Sequence, residues 1–255
     1  MDIFGSRWRN HTERIAHAWR RLVTPNDVVL VPGDISWAMH LNDALVDLSW
    51  IDQLPGRKYC IKGNHDYWWD RAAPIRVRMP ASITLVEANA YDIGTAVVCG
   101  SRGWGAPGMP GFDPATDQRI YARELLRMQR ALDEATAIAN GRPIITMIHF
   151  PPFIDRRATE FVTQFQRAQI STCIYGHLHR PDDWGNATQG LVDGITYQLT
   201  ACGALENALG IRVTREIQQL RRLLYCGEWI QSHALHVFLL HAADYLGFEI
   251  GRAHV

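Results

Sequence analysis

Short apolar runs recur along the chain, and each of four such runs is followed at once by polar residues. The four runs cover positions 28–31, 58–61, 144–148 and 173–175. A short apolar run of this length is typical of a strand. The four runs therefore predict four strands.

Segments between these runs carry apolar residues three and four positions apart, which is the spacing of a helix with one buried face. They predict helices over residues 10–22, 41–54, 117–140 and 157–169. Two further short strands are predicted between residues 83 and 100, and Asp193-Gly194 predicts a hairpin turn. Strands that alternate with helices indicate a layered α/β architecture.

The pattern changes after about residue 202, where helix-forming residues dominate and no strand is predicted. Thr214 has the residue type of an N-cap, and leucines at helical spacing follow it. We therefore expect two parts: an α/β domain over residues 1–202 and an all-helical C-terminal segment over residues 203–255.

Composition narrows the class of protein. The chain of 255 residues is 47% hydrophobic and carries 26 basic and 26 acidic residues, so its net charge is zero. This balance is typical of a globular protein and offers no basic surface for specific nucleic-acid binding.

The chain start lacks an apolar signal core, and no apolar stretch is long enough to cross a bilayer. Five cysteines without a CxxC pair favour a reducing compartment, so we expect a cytoplasmic protein without a membrane partner.

The polar residues that follow the strands are of the types that bind metal ions. They lie in four places: Gly33-Asp34, Gly63-Asn64-His65-Asp66, His149 and Gly176-His177-Leu178-His179. Residues just past the carboxyl ends of strands share one edge of an α/β fold, so we expect a common site. Mixed oxygen and nitrogen donors suit a divalent transition ion, and manganese, iron, zinc and cobalt all fit. The predicted metal ligands are Asp34, Asn64, His149, His177 and His179.

The same residues predict a hydrolytic reaction. Two divalent ions clamp a phosphate and lower the pKa of a bridging water, which then attacks phosphorus. His65, next to Asn64, is available to donate a proton to the leaving group or to hold a phosphate oxygen. Asp66 is the expected partner that orients His65. We therefore expect hydrolysis of a phosphate mono- or diester in a small phosphorylated substrate, with His65 and Asp66 as catalytic residues.

About four fifths of the chain, from residue 1 to about 201, resembles the calcineurin-like metallophosphoesterase superfamily, in particular a bacterial branch of predicted phosphohydrolases. The matching stretches are MDIFGSRWRNH, VPGDISWAM, LPGRKYCIKGNHDYWW, GSRGW, IHFPPF and IYGHLH. The resemblance implies a two-sheet β-sandwich flanked by helices, with Asp34 bridging two metal ions. Asn64, His149 and His177 would complete one metal site, and His179 would belong to the other.

The chain departs from that family at its start. Members of the family open with a strand that ends in Asp-x-His, which supplies two ligands of the second metal site, and this motif is absent here. We therefore expect a sandwich whose N-terminal strand is missing. One metal site would be well formed, and the other would keep only Asp34 and His179. Two functions stay open: an enzyme, or a truncated pseudo-enzyme that binds one ion without turnover.

The C-terminal segment resembles an internal helical part of the large subunit of nickel–iron hydrogenases. The matching stretches are ALENALGIRV and LRRLLYCGEWIQSHALHVFLLHAADYLGFE. The nickel ligands of that family are paired cysteines, and Cys202 and Cys226 form no such pair, so no hydrogenase function is expected. The apolar face of this segment would have to be buried against another protein surface. A fusion whose helical tail serves as an interaction module is thus a third hypothesis, with self-association through the C-terminal helices.

Overall fold

The apolar run VVLV forms strand β1 (Val28–Val31), and all four of its side chains are buried. Val28 and Leu30 pack into one apolar core, while Val29 and Val31 pack into another. Because successive side chains point to opposite faces of a strand, β1 lies in a sheet that is covered on both faces. The prediction of a strand over these residues is confirmed.

The structure, a computed structural model, describes residues 10–178, 181–200, 223–227 and 236–240. The first sheet has five strands among these residues. In spatial order they are β13 (His236–Leu240), β12 (Leu223–Gly227), β1, β2 (Arg57–Cys60) and β3 (Ile83–Leu85). Neighbouring strands are parallel, except for the antiparallel pair β12 and β13. The carboxyl ends of β1 and β2 therefore lie at the same edge.

The second sheet has six strands in the described part of the chain. Their spatial order is β10 (Gly190–Val192), β11 (Ile195–Leu199), β9 (Thr172–Tyr175), β6 (Ile144–Ile148), β5 (Val97–Ser101) and β4 (Asn89–Asp92). The four central strands are parallel, and an antiparallel strand closes each edge. A small hairpin of β7 (Phe153–Ile154) and β8 (Arg157–Ala158) stands apart from both sheets.

Helices cover the outer faces of the two sheets. They are α1 (His11–Leu22), α2 (Leu41–Asp52), α3 (Ala72–Arg76), α4 (Pro114–Ala139), α5 (Glu160–Arg167) and α6 (Pro181–Asn186). The first three pack on the first sheet, and α4 and α5 pack on the second. A third apolar core, which includes Leu30 and Met147, lies between the sheets. The prediction of an α/β, two-sheet sandwich flanked by helices is confirmed.

The predicted helices are confirmed with changes at their ends. The long helix α4 begins earlier than predicted because Asp113 caps it, with Oδ1 accepting a hydrogen bond from the backbone N–H of Ala115 at 2.9 Å. The helix predicted over residues 157–169 is shorter, because β7 and β8 precede it and α5 begins at Glu160. None of the described helices combines the length and apolar content needed to cross a bilayer.

The expectation of an all-helical C-terminal segment is wrong for its two described stretches, β12 and β13. β12 pairs in parallel with β1, with Val28 opposite Leu223 and Leu30 opposite Tyr225. The edge of β1 that faces away from β2 needs hydrogen-bond partners for its backbone, and this long-range need outweighs the helix preference of a leucine-rich segment. The place beside β1, on the side away from β2, is taken by β12. The domain boundary near residue 202 stays a prediction.

Candidate functional site

Four of the five predicted metal ligands meet at one edge of the sandwich. Asp34 and Asn64 lie past the carboxyl ends of β1 and β2, while His149 and His177 lie past those of β6 and β9. Asn64 Oδ1 lies 2.7 Å from His149 Nε2 and 2.9 Å from His177 Nδ1. The two ring nitrogens are 3.3 Å apart. We call these four residues the donor set, and it joins the two sheets.

The Asp34 carboxylate is the buried member of the donor set. Its Oδ2 atom makes no hydrogen bond within the described residues and lies 3.6 Å from His149 Nε2. The other oxygen, Oδ1, accepts a hydrogen bond from the backbone N–H of His65 at 2.8 Å. Burial raises the pKa of Asp34 well above its ordinary value, and the nearby Asp66 raises it further, against the lowering effect of the His65 N–H. A cation beside Oδ2 would offset this electrostatic cost.

Two glycines allow the loops of the donor set to approach each other closely. A Cβ atom on Gly63 would lie 2.0 Å from Asp34 Oδ1, and a Cβ atom on Gly33 would lie 2.7 Å from His149 Nδ1. Both distances are too short for a side chain, so glycine is sterically required at both positions. Asp34 and His177 have positive φ angles of 53° and 71°. Such strain in non-glycine residues is typical of functional sites.

The surroundings of His149 fix the tautomer of its ring. Nδ1 lies 2.9 Å from the carbonyl oxygen of Pro32, which only accepts hydrogen bonds, so Nδ1 carries the proton of the neutral ring. Nε2 then presents a lone pair toward Asn64 Oδ1 and Asp34 Oδ2. With the Asn64 amide oriented as it is here, several acceptor atoms face each other. A cation between these acceptor atoms would be attracted to each of them and would offset their mutual repulsion.

The donor set fits a divalent ion in its chemistry and spacing. Two ligands about 2.1 Å from one ion and at right angles to each other lie about 3 Å apart. The three separations among Asn64, His149 and His177 run from 2.7 Å to 3.3 Å, and Asp34 Oδ2 lies 3.6 Å from His149 Nε2. As placed, no group of three or more His, Cys, Asp or Glu side chains in the described residues can hold a metal ion by itself. A metal site here therefore depends on the Asn64 amide oxygen as a further donor.

The fifth predicted ligand, His179, lies outside the described residues. The second metal site that we predicted from Asp34 and His179 therefore stays a prediction.

Asp66 has a different partner from the expected one. Its buried carboxylate accepts hydrogen bonds of 2.8 to 3.1 Å from four donors: the backbone N–H groups of Ile35, Ser36 and Gly63, and the indole N–H of Trp68. The expected role of orienting His65 is wrong because this carboxylate is turned into the core, where the four donors enclose it. These bonds tie the loop after β1 to the loop after β2, and so fix the relative positions of Asp34 and Asn64.

Aromatic side chains hold the ring of His65. Trp37 stacks on this ring with centroids 4.1 Å apart, and the Tyr67 hydroxyl lies 3.0 Å from Nδ1. Burial lowers the pKa of His65, which favours the neutral ring. A neutral ring that accepts a hydrogen bond from Tyr67 at Nδ1 carries its proton on Nε2. Our sequence reasoning missed Trp37 and Tyr67, and their closeness to the Gly-Asp and Asn-His-Asp motifs was the available signal.

Phe150 closes one side of the donor set. Its ring centroid lies 4.3 Å from that of His177 and 5.3 Å from that of His149. The backbone of His149 donates a hydrogen bond of 3.0 Å to the carbonyl oxygen of Arg102, which follows β5. The donor set is thus connected to the neighbouring strand end, a contact that the sequence did not indicate.

Comparison with known proteins agrees with this geometry. A family model described as Calcineurin-like phosphoesterase matches residues 7–181, well over half of the chain. The matched range includes the strands β1, β2, β6 and β9 and the complete donor set.

Two curated proteins of Pyrococcus furiosus match a short stretch of the chain. Sulfhydrogenase 1 subunit alpha is 50% identical over 53 residues, which are 21% of this chain and 12% of that protein. Sulfhydrogenase 2 subunit alpha is 43% identical over 54 residues, which are 21% of this chain and 13% of that protein. The chain thus spans a small part of the length of these relatives. The matches give weak support to the hydrogenase resemblance of the C-terminal segment.

Proposed function

Because this chain belongs to the calcineurin-like phosphoesterase family, we propose that it hydrolyses a phosphate mono- or diester. The family supports metal-dependent hydrolysis of phosphoesters in general. The observation that carries the finer proposal is the donor set, in which a buried oxygen of Asp34 lacks a hydrogen-bond partner among the described residues. Amide and imidazole donors meet beside this oxygen.

The donor set would hold a divalent ion, and its mixed oxygen and nitrogen donors suit manganese, iron, zinc or cobalt. When bound, such an ion supplies a water of lowered pKa and neutralises charge on the phosphoryl oxygens. The chain prepares the ligands for this task. The Pro32 carbonyl keeps the Nε2 lone pair of His149 directed to the site, and the backbone N–H of His65 holds the Asp34 carboxylate.

His65 is proposed to act on the substrate directly. Tyr67 binds Nδ1 and Trp37 supports one face of the ring. In the neutral ring the N–H at Nε2 is then available to donate a hydrogen bond to a phosphoryl oxygen, and in the protonated ring it would pass its proton to the leaving oxygen and return to the neutral form. Asp66 is proposed as a positioning residue, because its four hydrogen bonds hold the two loops that carry Asp34 and Asn64.

Turnover of two aryl esters tests this function. The full chain would be stripped of metal with a chelator, supplied with manganese, and assayed on p-nitrophenyl phosphate and bis-p-nitrophenyl phosphate. We expect turnover that depends on added metal. Asp34→Ala and His177→Ala should each lower it by more than about 100-fold, since changes next to a metal ligand already cost about 10- to 100-fold. His17→Ala, at an exposed position of α1, is the matched control and should keep full activity.

The same experiment separates an enzyme from a pseudo-enzyme. Manganese binding that is lost in His177→Ala, without turnover of either ester, would support a protein that binds an ion and does not catalyse. If manganese neither binds nor supports turnover, both functions are contradicted.

A further inference from the structure

A polar cavity of about 250 Å³ lies beside the donor set, and the proposed reaction does not use it. Five of its eight lining residues are basic, and we call them the cationic cluster: Lys62, Arg71, Arg102, Arg123 and Arg127. Two lining residues, Asp70 and Glu87, are acidic. Pockets for drug-sized ligands measure about 300–1,000 Å³, so this smaller cavity suits a single anionic group.

A buried carboxylate forms ion pairs with three of these arginines. Glu124 of α4 is fully buried, and its Oε1 atom lies 3.5 to 3.8 Å from nitrogen atoms of Arg102, Arg123 and Arg127. Arg102 also lies over the ring of Trp104, 4.4 Å from its centroid. These contacts place the guanidinium groups at the cavity wall, which reduces the side-chain ordering that a ligand has to impose.

The protein's own carboxylates do not balance the cationic cluster. When Glu124 is counted with the lining residues, five basic side chains face three carboxylates. Arg127 divides its contacts between Glu87 at 3.4 Å and Glu124 at 3.6 Å. These ion pairs are longer than a strong charged hydrogen bond of about 2.7–2.9 Å, so the five N–H donors of a guanidinium are not saturated by them. An incoming anion would satisfy both the charge and the donors.

The cavity lies one strand away from the donor set. Lys62 follows β2 and precedes Asn64 by two residues, and Arg102 follows β5 and binds the backbone N–H of His149. Within their sheets, β2 lies next to β1 and β5 lies next to β6. The cavity lining thus adjoins the donor set through the loop that carries Asn64 and through the backbone hydrogen bond to His149, so a ligand whose two charged groups are joined by a short chain would contact both places.

We propose that the cationic cluster binds a second anionic group, a phosphate or a carboxylate, of a substrate whose scissile phosphate lies at the donor set. The inference rests on the proposed phosphoesterase function and narrows it. The preferred substrates are small phosphoesters with two anionic groups, and an ester with one phosphate fills only part of the combined site.

A substrate series tests the reach and charge of this site. Release of phosphate would be measured for α,ω-alkanediol bisphosphates of two to six carbons and for the monophosphates of the same diols. We expect the bisphosphate of matching length to exceed its monophosphate in kcat/KM by about tenfold or more, the value of one charged hydrogen bond. A wild-type chain without this preference overturns the proposal.

Three variants assign the preference to the cationic cluster. Arg127→Met and Arg71→Met should each lower the bisphosphate-to-monophosphate ratio of kcat/KM. The Arg71 side chain is 81% exposed and does not touch Glu124, so this second variant keeps the test valid if Arg127→Met folds poorly. Arg130→Met, at an exposed position of α4 outside the cavity lining, is the matched control and should keep the ratio. An unchanged ratio in both cavity variants overturns the proposal.

Binding without metal separates this inference from the proposed function. Metal-free protein in chelator would be titrated calorimetrically with 1,4-butanediol bisphosphate and, separately, with inorganic phosphate. If no ester is hydrolysed, the proposed function fails, and bisphosphate binding that weakens in Arg71→Met and Arg127→Met still supports the anion site. Equal binding by wild type and both variants overturns that site. If inorganic phosphate binds more tightly than the bisphosphate, the cavity takes a free anion and the substrate assignment is wrong.

Discussion

The donor set and the cationic cluster lie at neighbouring strand ends, and their most and least buried members differ strongly in exposure. Asp34 and His149 are fully buried. The side chains of Arg123 and Arg127 are 57% and 41% exposed. In the donor set, main-chain groups bind the side chains of Asp34 and His149. In the cationic cluster, long ion pairs to carboxylates contact the arginine side chains.

The two regions therefore depend on different properties. The donor set depends on the positions of its atoms, and the cationic cluster depends on its charge. A buried donor that is held by the backbone keeps a fixed position, and any substitution leaves unsatisfied groups or a clash behind. A half-exposed arginine is screened by water, so its removal changes the local charge at a small cost in stability. We therefore expect substitutions around the donor set to affect folding and turnover strongly, and substitutions in the cationic cluster to affect mainly the choice of substrate.

The largest expected effect is on turnover. His65→Ala removes the proposed donor at Nε2 but leaves the backbone N–H that binds Asp34. Loss of a general acid costs about 10²- to 10⁴-fold in kcat, so we expect a loss of this size with manganese binding retained. Metal analysis and p-nitrophenyl phosphate turnover on the same sample are the measurements. Equal kcat in His65→Ala and wild type would show that His65 takes no part in the reaction.

A large loss of stability is expected from Asp66→Ala. The substitution leaves four buried donors without their acceptor, and each unsatisfied group costs about 1–3 kcal/mol. After allowance for the desolvation cost that the buried carboxylate no longer causes, we expect a decrease of about 3 kcal/mol in the free energy of unfolding. Urea denaturation is the measurement. Asp70→Ala, whose side chain is 90% exposed, is the control and should change stability by less than about 0.5 kcal/mol.

Gly63→Ala tests the close approach of the loops. The added Cβ would lie 2.0 Å from Asp34 Oδ1, so the carboxylate or the backbone has to move. Overpacking of this kind costs about 1–3 kcal/mol, and manganese affinity should fall with it. Gly185→Ala has open space around the new Cβ and should leave both quantities unchanged. Similar stability of the two variants would mean that the loops do not need their present spacing.

The smallest effect is expected from Arg123→Met. Its ion pair with Glu124 is 3.8 Å long and its side chain is mostly exposed, so the loss of stability should stay below about 1 kcal/mol. Manganese binding should not change, because Arg123 does not contact the donor set. Thermal denaturation and metal analysis measure both quantities. A loss of stability as large as that of Asp66→Ala would contradict the expectation that the cationic cluster contributes less to stability than the surroundings of the donor set.

The sequence predicted what short-range patterns determine. The run VVLV and the motif around Asn64 each combine a strand with the turn that follows it, so both the strands and the donor set were predictable. β12 was not predictable, because its pairing with β1 joins Leu223 to Val28 across most of the chain. The local pattern of that segment favours a helix, and the backbone needs of a distant strand outweigh it.

The cationic cluster and the role of Asp66 could not be predicted from the sequence for a related reason. The basic residues of the cluster come from three places in the chain, namely the segment between β2 and α3, the position after β5 and helix α4, and no motif links these places. Asp66 stands beside His65 in the sequence, but the fold turns its carboxylate toward Ile35 and Ser36. Adjacency along the chain indicates that two residues share a loop, and only the fold decides where each side chain points.

Manganese binding to the metal-free chain, measured by equilibrium dialysis for wild type and Asp34→Asn, tests the central claim most directly. Asp92→Asn, which alters an exposed carboxylate that pairs with Arg142, is the matched control. We expect about one ion per chain in wild type and in the control, as four donors around one point predict, and a loss of binding in Asp34→Asn. Equal manganese binding by wild type and Asp34→Asn would contradict a metal site centred on this carboxylate.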